Sequence, residues 1–428
     1  MKIAMFTNTY LPHVGGVARS VKTLEDACRE HGHEVRVIAP DFDGQEKSPN
    51  VLRVPAIQHF NGSDFSVQLP VPNVIRDYIQ DFRPDLIHSH HPFLLGDAAL
   101  REARKMQVPI VFTHHTLYER YTHYVPLDSP ALRRVVIRLA TEYCNLCDEV
   151  IAPSGSIARL LRERGVTTPI QAFPTGIDLE FFASGNGERC RKSLSIPQDA
   201  KVIGHVGRLA KEKNIIFLTE AVANCLEADP STVFLVVGDG EAREEMLSIL
   251  RKGAGKRRVH AVGTLMGDDL ADAYAAMDCF VFASQTETQG LVLAEAMAAG
   301  KPVVAIDGPG VREIVNDGEN GLLLAGDASS DDLSASLRCI LNNAELLQFC
   351  SENARHTALH YGEERCVLRV LHCYKQLVAE HRNPANVDFT TWDRLLATIG
   401  VEWDLFVEKM SAASAAVMKT PATEAHID

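Results

Sequence analysis

Short apolar runs alternate with amphipathic stretches along most of the chain. In the first half KIAMFT, EVRVIAP, PDLIHSH, PIVFTHH and DEVIAPS read as strands, separated by helical patterns such as SVKTLEDACREHG. The alternation pauses near PTGIDLEFFASGNGE, where Pro, Gly and Ser cluster, and restarts with KVIGHVG, VFLVVGDG, VHAVG, CFVFAS and PVVAI. Apolar strands that each feed a helix predict parallel sheets covered on both faces. Two successive rounds predict an α/β protein of two Rossmann-like domains facing one another across a cleft. The C-terminal segment is helical in pattern and has no strand candidate. Its Trp392 and Trp403 stand at helical spacing with Phe, Leu and Val, which predicts packing, and the final TPATEAHID is expected to fray.

Bulk properties narrow the class. The 428 residues exceed what one core organises, in agreement with two domains. The N-terminus reads as a first strand, not a signal peptide, and no stretch approaches the roughly 20 apolar residues that span a bilayer. Ten cysteines are scattered, and the Cys144–Cys147 pair in CNLC has no second pair nearby, so buried thiols in a reducing cytoplasm are expected. The net charge of −13 is uneven: residues 1–178 carry 19 Lys and Arg against 20 Asp and Glu, the remainder 24 against 36. A chain this acidic is a poor partner for nucleic acid, while the nearly neutral first half can approach an anionic surface.

In open α/β sheets, ligands bind beyond the carboxyl ends of strands, and unusual residues gather there. TNTYLPHVGGVARSV ends a strand and places Gly15-Gly16 before a helix, which suits either a tight turn or the close approach of an anion. IHSHHPF and VFTHHTLYERYTHY bring His88, His90, His91, His114, His115 and His123 to or near two strand ends. Metal binding and a pocket for sugar hydroxyls both account for such a cluster. GHVGRLAKEKNIIFL offers Arg208 and Lys213 after a strand, a pair suited to a diphosphate or to a solvated surface.

SQTETQGLVLAEAMAAGKPVVA places Glu287 on the turn after an apolar strand and Glu295 two turns into an apolar helix opened by Thr288, Gln289 and Gly290. A buried carboxylate needs donors, and the vicinal hydroxyls of a ribose or hexose supply two. A salt-bridged helix acid is the structural alternative. Taken with Arg208, Lys213 and the glycine turns, a nucleotide-sugar site explains the whole set.

Glu287-x7-Glu295, GRLAKEKN, PHVGGV, PTGID and EAMAAGKPVVA together resemble family 4 of the GT-B glycosyltransferases, over roughly residues 1–380. The resemblance implies a retaining enzyme that uses a UDP-sugar and no metal. It implies an acceptor domain over 1–175, a donor domain over 176–370, and helices of 371–428 packing back on the first. Position by position, Glu295 would hold the donor ribose and Glu287 the sugar hydroxyls. Arg208 and Lys213 would neutralise the departing diphosphate, assisted by the Gly15 and Gly16 amides. Thr288, Gln289, Gly290 and Leu291 would line the donor, and His115 would face the sugar and acceptor. The catalytic set is then His115, Glu287, Arg208 and Lys213.

THHTLYERYTHYVP and HSHHPFLLG further resemble the diacylglycerol glucosyltransferases, whose acceptor side would correspond to His90, His91, His114 and Tyr118. His91-Pro92 departs from the polar or acidic pair frequent there, and Gln289 from the Phe of much of the family. A hexose, glucose or glucuronic acid, would pass to a lipid hydroxyl. Arg133, Arg134 and Arg138 in the amphipathic ALRRVVIRLATEY suit peripheral contact with the inner face of a membrane, or a core helix with a solvated basic face. A soluble acceptor, a nucleotide-sugar epimerase and a non-catalytic sensor are the competing functions. The Asp41-Phe42-Asp43 triplet has the spacing of a metal motif but sits in a polar, Gly-containing loop, as a solvated turn would.

Overall fold

The computed structural model describes residues 1–13, 15–42, 48–57, 67–68, 72–120, 129–252 and 258–381. The first sheet is built from β1 (Lys2–Phe6), β2 (Glu34–Pro40) and β3 (Val51–Val54), followed after a small antiparallel pair, β4 (Ala56–Ile57) and β5 (Val67–Gln68), by β6 (Leu86–Ser89), β7 (Ile110–Thr113), β8 (Glu149–Ala152) and β9 (Ile170–Ala172). Its order is β3-β2-β1-β6-β7-β8-β9, with every pairing parallel. The second holds β10 (Lys201–Val206), β11 (Thr232–Val237), β12 (Val259–Ala261), β13 (Cys279–Phe282), β14 (Val303–Ile306) and β15 (Gly321–Leu324), in the order β12-β11-β10-β13-β14-β15 and again all parallel.

The pleat turns apolar runs into double-sided cores. In β1, Ala4 and Phe6 enter one cluster with Ile87 and Phe112, while Ile3 and Met5 enter another on the opposite face. The second sheet is buried in the same way, Phe280 and Phe282 to one side, Cys279 and Val281 to the other. Both domains are therefore Rossmann-like, as the alternation predicts. The short strands β3, β9 and β15 have no counterpart among the strands read from sequence. β15 opens on Gly321, where a Cβ would lie 1.9 Å from the Val303 carbonyl, so the residue that permits its pairing also weakens its strand signature.

The chain returns to the first domain earlier than the expected boundary at residue 371. The helix Glu363–Glu380 places Val367, Val370, Leu371 and Tyr374 in the core formed by Ile3, Met5, Val21 and Cys28. Residues 382–428, with Trp392 and Trp403, lie outside the described residues.

Strand order reverses between β1 and β6 in one sheet and between β10 and β13 in the other. Crevices open at the carboxyl ends of strands at such switch points.

Candidate active site

On the first domain the rim begins at the helix Gly16–Glu30, capped by Gly15 without a side-chain bond. The ends of β6 and β7 supply the histidines. His88 is fully buried: Nε2 bonds Thr113 Oγ1 at 2.7 Å, and Nδ1 receives the Tyr374 hydroxyl of the returning helix. His90 Nδ1 meets His115 Nε2 at 2.9 Å. His91 Nδ1 accepts from the Asn8 amide at 3.0 Å, so that ring holds the β1 loop in place. His114 is 1% exposed, and neither of its ring nitrogens bonds a described residue; nor does the hydroxyl of Tyr118 beside it. His123 lies outside the described residues.

Burial keeps these imidazoles neutral. It pushes His88 and His91 down to about 3 and His114 to about 4. His90 and His115 fall well below the ordinary histidine value, first by burial and then by their neighbouring imidazoles.

On the second domain β10 ends at Gly207, whose φ of +156° suits glycine. Arg208 and the turn Lys211–Lys213 follow, before the helix Ile215–Ala228. Arg208 pairs with Glu212, an acid 3% exposed in its side chain, and Lys213 pairs with Glu287. Both expected diphosphate cations thus stand at one rim, each against a carboxylate. The Glu212 carbonyl also accepts from Ser284 and Thr286, at 3.4 and 3.2 Å, which ties this turn to the one bearing Glu287.

Glu295 is the fifth residue of the helix Leu291–Ala298, closer to its start than the expected two turns. Its side chain is fully buried, and both oxygens are satisfied: Tyr274 donates to Oε2 at 2.7 Å and Arg19 pairs with Oε1. The burial is compensated by a phenol and a guanidinium. Glu295 in turn raises the Arg19 pKa.

Direct bonds join the two rims. Thr288 Oγ1 donates to the His115 carbonyl at 2.6 Å, and Ser154 Oγ donates to the Thr288 carbonyl at 2.8 Å. Gln289 clasps Thr175 with both amide atoms, accepting from its N–H and donating to its carbonyl, each at 2.8 Å. The Gln289 side chain is therefore spent on the linker between the domains. Gly290, at φ +76°, starts the helix that Leu291 enters. Gly310 packs so closely that a Cβ would lie 2.7 Å from the Gln289 nitrogen, and its amide donates to the Glu287 carbonyl at 3.0 Å.

No group of three or more His, Cys, Asp or Glu among the described residues has the arrangement to hold a metal ion, and Asp43 lies outside them. The ten cysteines are free thiols, and burial pushes Cys144 up to about 12.

Comparison with known proteins agrees with this geometry. The model of Glycosyltransferase Family 4 matches residues 14–181, and that of Glycosyl transferases group 1 matches residues 186–357. The alpha-monoglucosyldiacylglycerol synthase of Acholeplasma laidlawii is 30% identical over 85% of this chain and 94% of its own. The chain belongs to glycosyltransferase family 4. A GDP-mannose-dependent alpha-mannosyltransferase of Mycobacterium tuberculosis is 31% identical over 76% of this chain and 84% of its own. The structure of Anabaena HepE in complex with UDP-glucose superposes with a TM-score of 0.72 at 19% identity, over 88% of this chain and all of that one. This glycosyltransferase accordingly has the GT-B fold.

Several residues at the site of the glycosyltransferase escape sequence reasoning. Arg19, Ser154 and Thr175 look like ordinary helix or loop residues until the two domains meet, and Tyr274 and Glu212 until their partners Glu295 and Arg208 are placed beside them. Glu212 alone gave a usable signal, as an acid between two lysines in AKEKN.

Proposed function

We propose that this glycosyltransferase moves a hexose, glucose or glucuronic acid, from a UDP-sugar to the free hydroxyl of a 1,2-diacylglycerol, with retention and without a metal ion. The supporting observation is the Thr288–His115 bond, because it sets the turn of Glu287 against the strand end that bears His115. A donor lying there has Arg208 and Lys213 for its diphosphate, Glu287 for its sugar hydroxyls, and Glu295 for its ribose. Charge that grows on the leaving diphosphate is stabilised by cations already in place, in a site from which domain closure excludes water. Neutral His115 contributes a hydrogen bond to the sugar or the acceptor, not a positive charge.

The lipid acceptor draws support from the Acholeplasma synthase, whose name specifies a glucosyldiacylglycerol product. The helix Pro130–Leu146 adds an exposed basic face of Arg133, Arg134 and Arg138, next to half-buried Leu132, Val135, Val136 and Ile137. That combination suits an anionic bilayer surface, which the protein would meet peripherally. Among the described residues no helix is long and apolar enough to cross a membrane. The mannosyltransferase relative favours GDP-mannose as a second donor to test. Isolation of the lipid product from UDP-glucose and dioleoylglycerol, with its anomeric configuration read by NMR, tests the proposal. An α-linked glucosyldiacylglycerol supports it; a β-linkage or an unmodified lipid counts against it.

A further inference from the structure

The buried histidines form an ordered stack that the transfer reaction itself does not explain. His88 lies at the bottom, with both ring nitrogens bonded, to Thr113 and to Tyr374. The His90 ring sits on it with 4.0 Å between centroids, and the His115 ring lies 5.2 Å beyond, inclined by only 26° to that of His90. His90 is 1% exposed and its amide donates to the Phe6 carbonyl at 2.9 Å, so the residue is pinned at backbone and ring alike. A cavity of about 40 Å³, lined by His88, His90, Thr113 and His115 with Ser20 and Thr175, adjoins the stack. Of the three residues, only His115 is partly exposed.

One hydrogen bond joins His90 Nδ1 to His115 Nε2, and each neutral ring carries one proton. Two tautomeric arrangements satisfy it. If His115 donates from Nε2, the His90 proton must sit on Nε2, a buried nitrogen with no partner among the described residues. A buried N–H without an acceptor is among the least tolerated groups in a folded protein. If His90 donates from Nδ1, only a lone pair is left unpaired there, and the His115 proton moves to Nδ1. No described residue bonds His115 Nδ1.

We propose that His90 is a positioning residue for His115: by donating its Nδ1–H to His115 Nε2, it holds His115 in the tautomer whose Nδ1–H is left to donate to an oxygen of the bound ligand. The stack on His88, itself fixed by Tyr374 from the returning helix, keeps the His90 ring at the required angle. The ligand oxygen is a sugar hydroxyl or a phosphate oxygen acting as acceptor. This last step rests on the proposed function; the tautomer does not.

The test is nitrogen-15 NMR of the full-length chain labelled at its histidine rings, at pH 7.5, with the His115 signals identified by their loss in His115→Gln. The expected result is His115 protonated at Nδ1 and bare at Nε2, without any nucleotide present. A proton on His115 Nε2, or an even mixture of tautomers, overturns the proposal. Two variants extend it to turnover of UDP-glucose. His90→Asn places an amide donor where Nδ1 stood and is expected to retain the tautomer and most of kcat. His90→Leu removes the donor and is expected to release His115 into a mixture, with kcat down on the order of 10²-fold and KM nearly unchanged. Equal losses in the two variants, or an unaltered tautomer in His90→Leu, contradict the assignment. If His90→Leu fails to fold, the wild-type spectrum still decides. If UDP-glucose is not turned over, the proposed donor falls while the tautomer is still read.

Discussion

Arg19 and Glu295 meet between the two domains: a guanidinium from the first turn of the helix Gly16–Glu30 pairs with a carboxylate that has no solvent exposure. Tyr274 holds the other oxygen of that carboxylate. A donor ribose bound at Glu295 must therefore take hydrogen bonds that Arg19 and Tyr274 now supply. On the proposed function the same carboxylate would serve two roles, closing the empty protein and binding the nucleotide.

Removal of one partner exposes this double role. Glu295→Gln keeps an acceptor for Tyr274 but loses the charge, and UDP affinity is expected to fall about tenfold or more by calorimetry. Affinity unchanged from wild type would mean that Glu295 does not hold the ribose. Arg19→Ala leaves a buried carboxylate with a single donor, and the unfolding free energy is expected to drop by about 2 kcal/mol.

Lys213→Ala removes a cation at the expected diphosphate position and leaves Glu287 without the Lys213 ammonium. A fall in kcat on the order of 10²–10³ is expected, measured at saturating donor. Glu212→Gln should lower kcat less, because Arg208 keeps its charge and loses only its buried partner. A larger effect in Glu212→Gln than in Lys213→Ala would place the critical charge elsewhere.

The buried neutral histidines give stability a direction with pH. An unfolded chain takes up their protons near the ordinary value of 6.5, whereas His88 and His91 fold with values of about 3, and His114 and the equally buried His205 of β10 with about 4. Between these limits the unfolded state binds more protons, so stability is complete above pH 6.5 and falls as pH falls. Each such group contributes about 1.4 kcal/mol per pH unit across its window. Urea midpoints taken from pH 7.5 down to pH 4 should decline steeply. Flat midpoints across that range would show that the histidines are not held neutral.

Gly310→Ala tests the support of the donor turn. The new Cβ would press on the Thr288–Gln289 peptide, and the Glu287 turn would have to shift. Overpacking of this kind costs about 1–3 kcal/mol. Activity should fall more than the melting temperature suggests, which parallel kinetics and thermal denaturation would reveal.

The sequence makes the fold legible because ten of the strands of the two sheets are apolar runs recognisable as such, most of them feeding a helix, and because a glycine-rich junction separates the rounds; the short β3, β9 and β15 carry no such signature. It makes Glu287, Arg208 and Lys213 legible as charges at strand ends and Glu295 as a charge inside an apolar helix, where a charge calls for a partner. The partners are the hidden part. Arg19 lies 276 positions from Glu295, and Thr175 lies 114 positions from Gln289. No local pattern announces a contact made only when two domains close. Gln289 illustrates this: its place in TETQG suggests ligand contact, while its amide clasps the interdomain linker. His90 and His115 are visible as residues of a cluster, but their mutual bond depends on the register of β6 against β7.

The most direct measurement is release of UDP from a panel of UDP-sugars, with GDP-mannose as comparison, in the presence and absence of diacylglycerol in mixed micelles. Release that requires the lipid, occurs with UDP-glucose or UDP-glucuronic acid, and is abolished in Glu287→Ala is the expected outcome. Release that ignores the lipid and persists in Glu287→Ala would contradict both the acceptor and the site proposed for this glycosyltransferase.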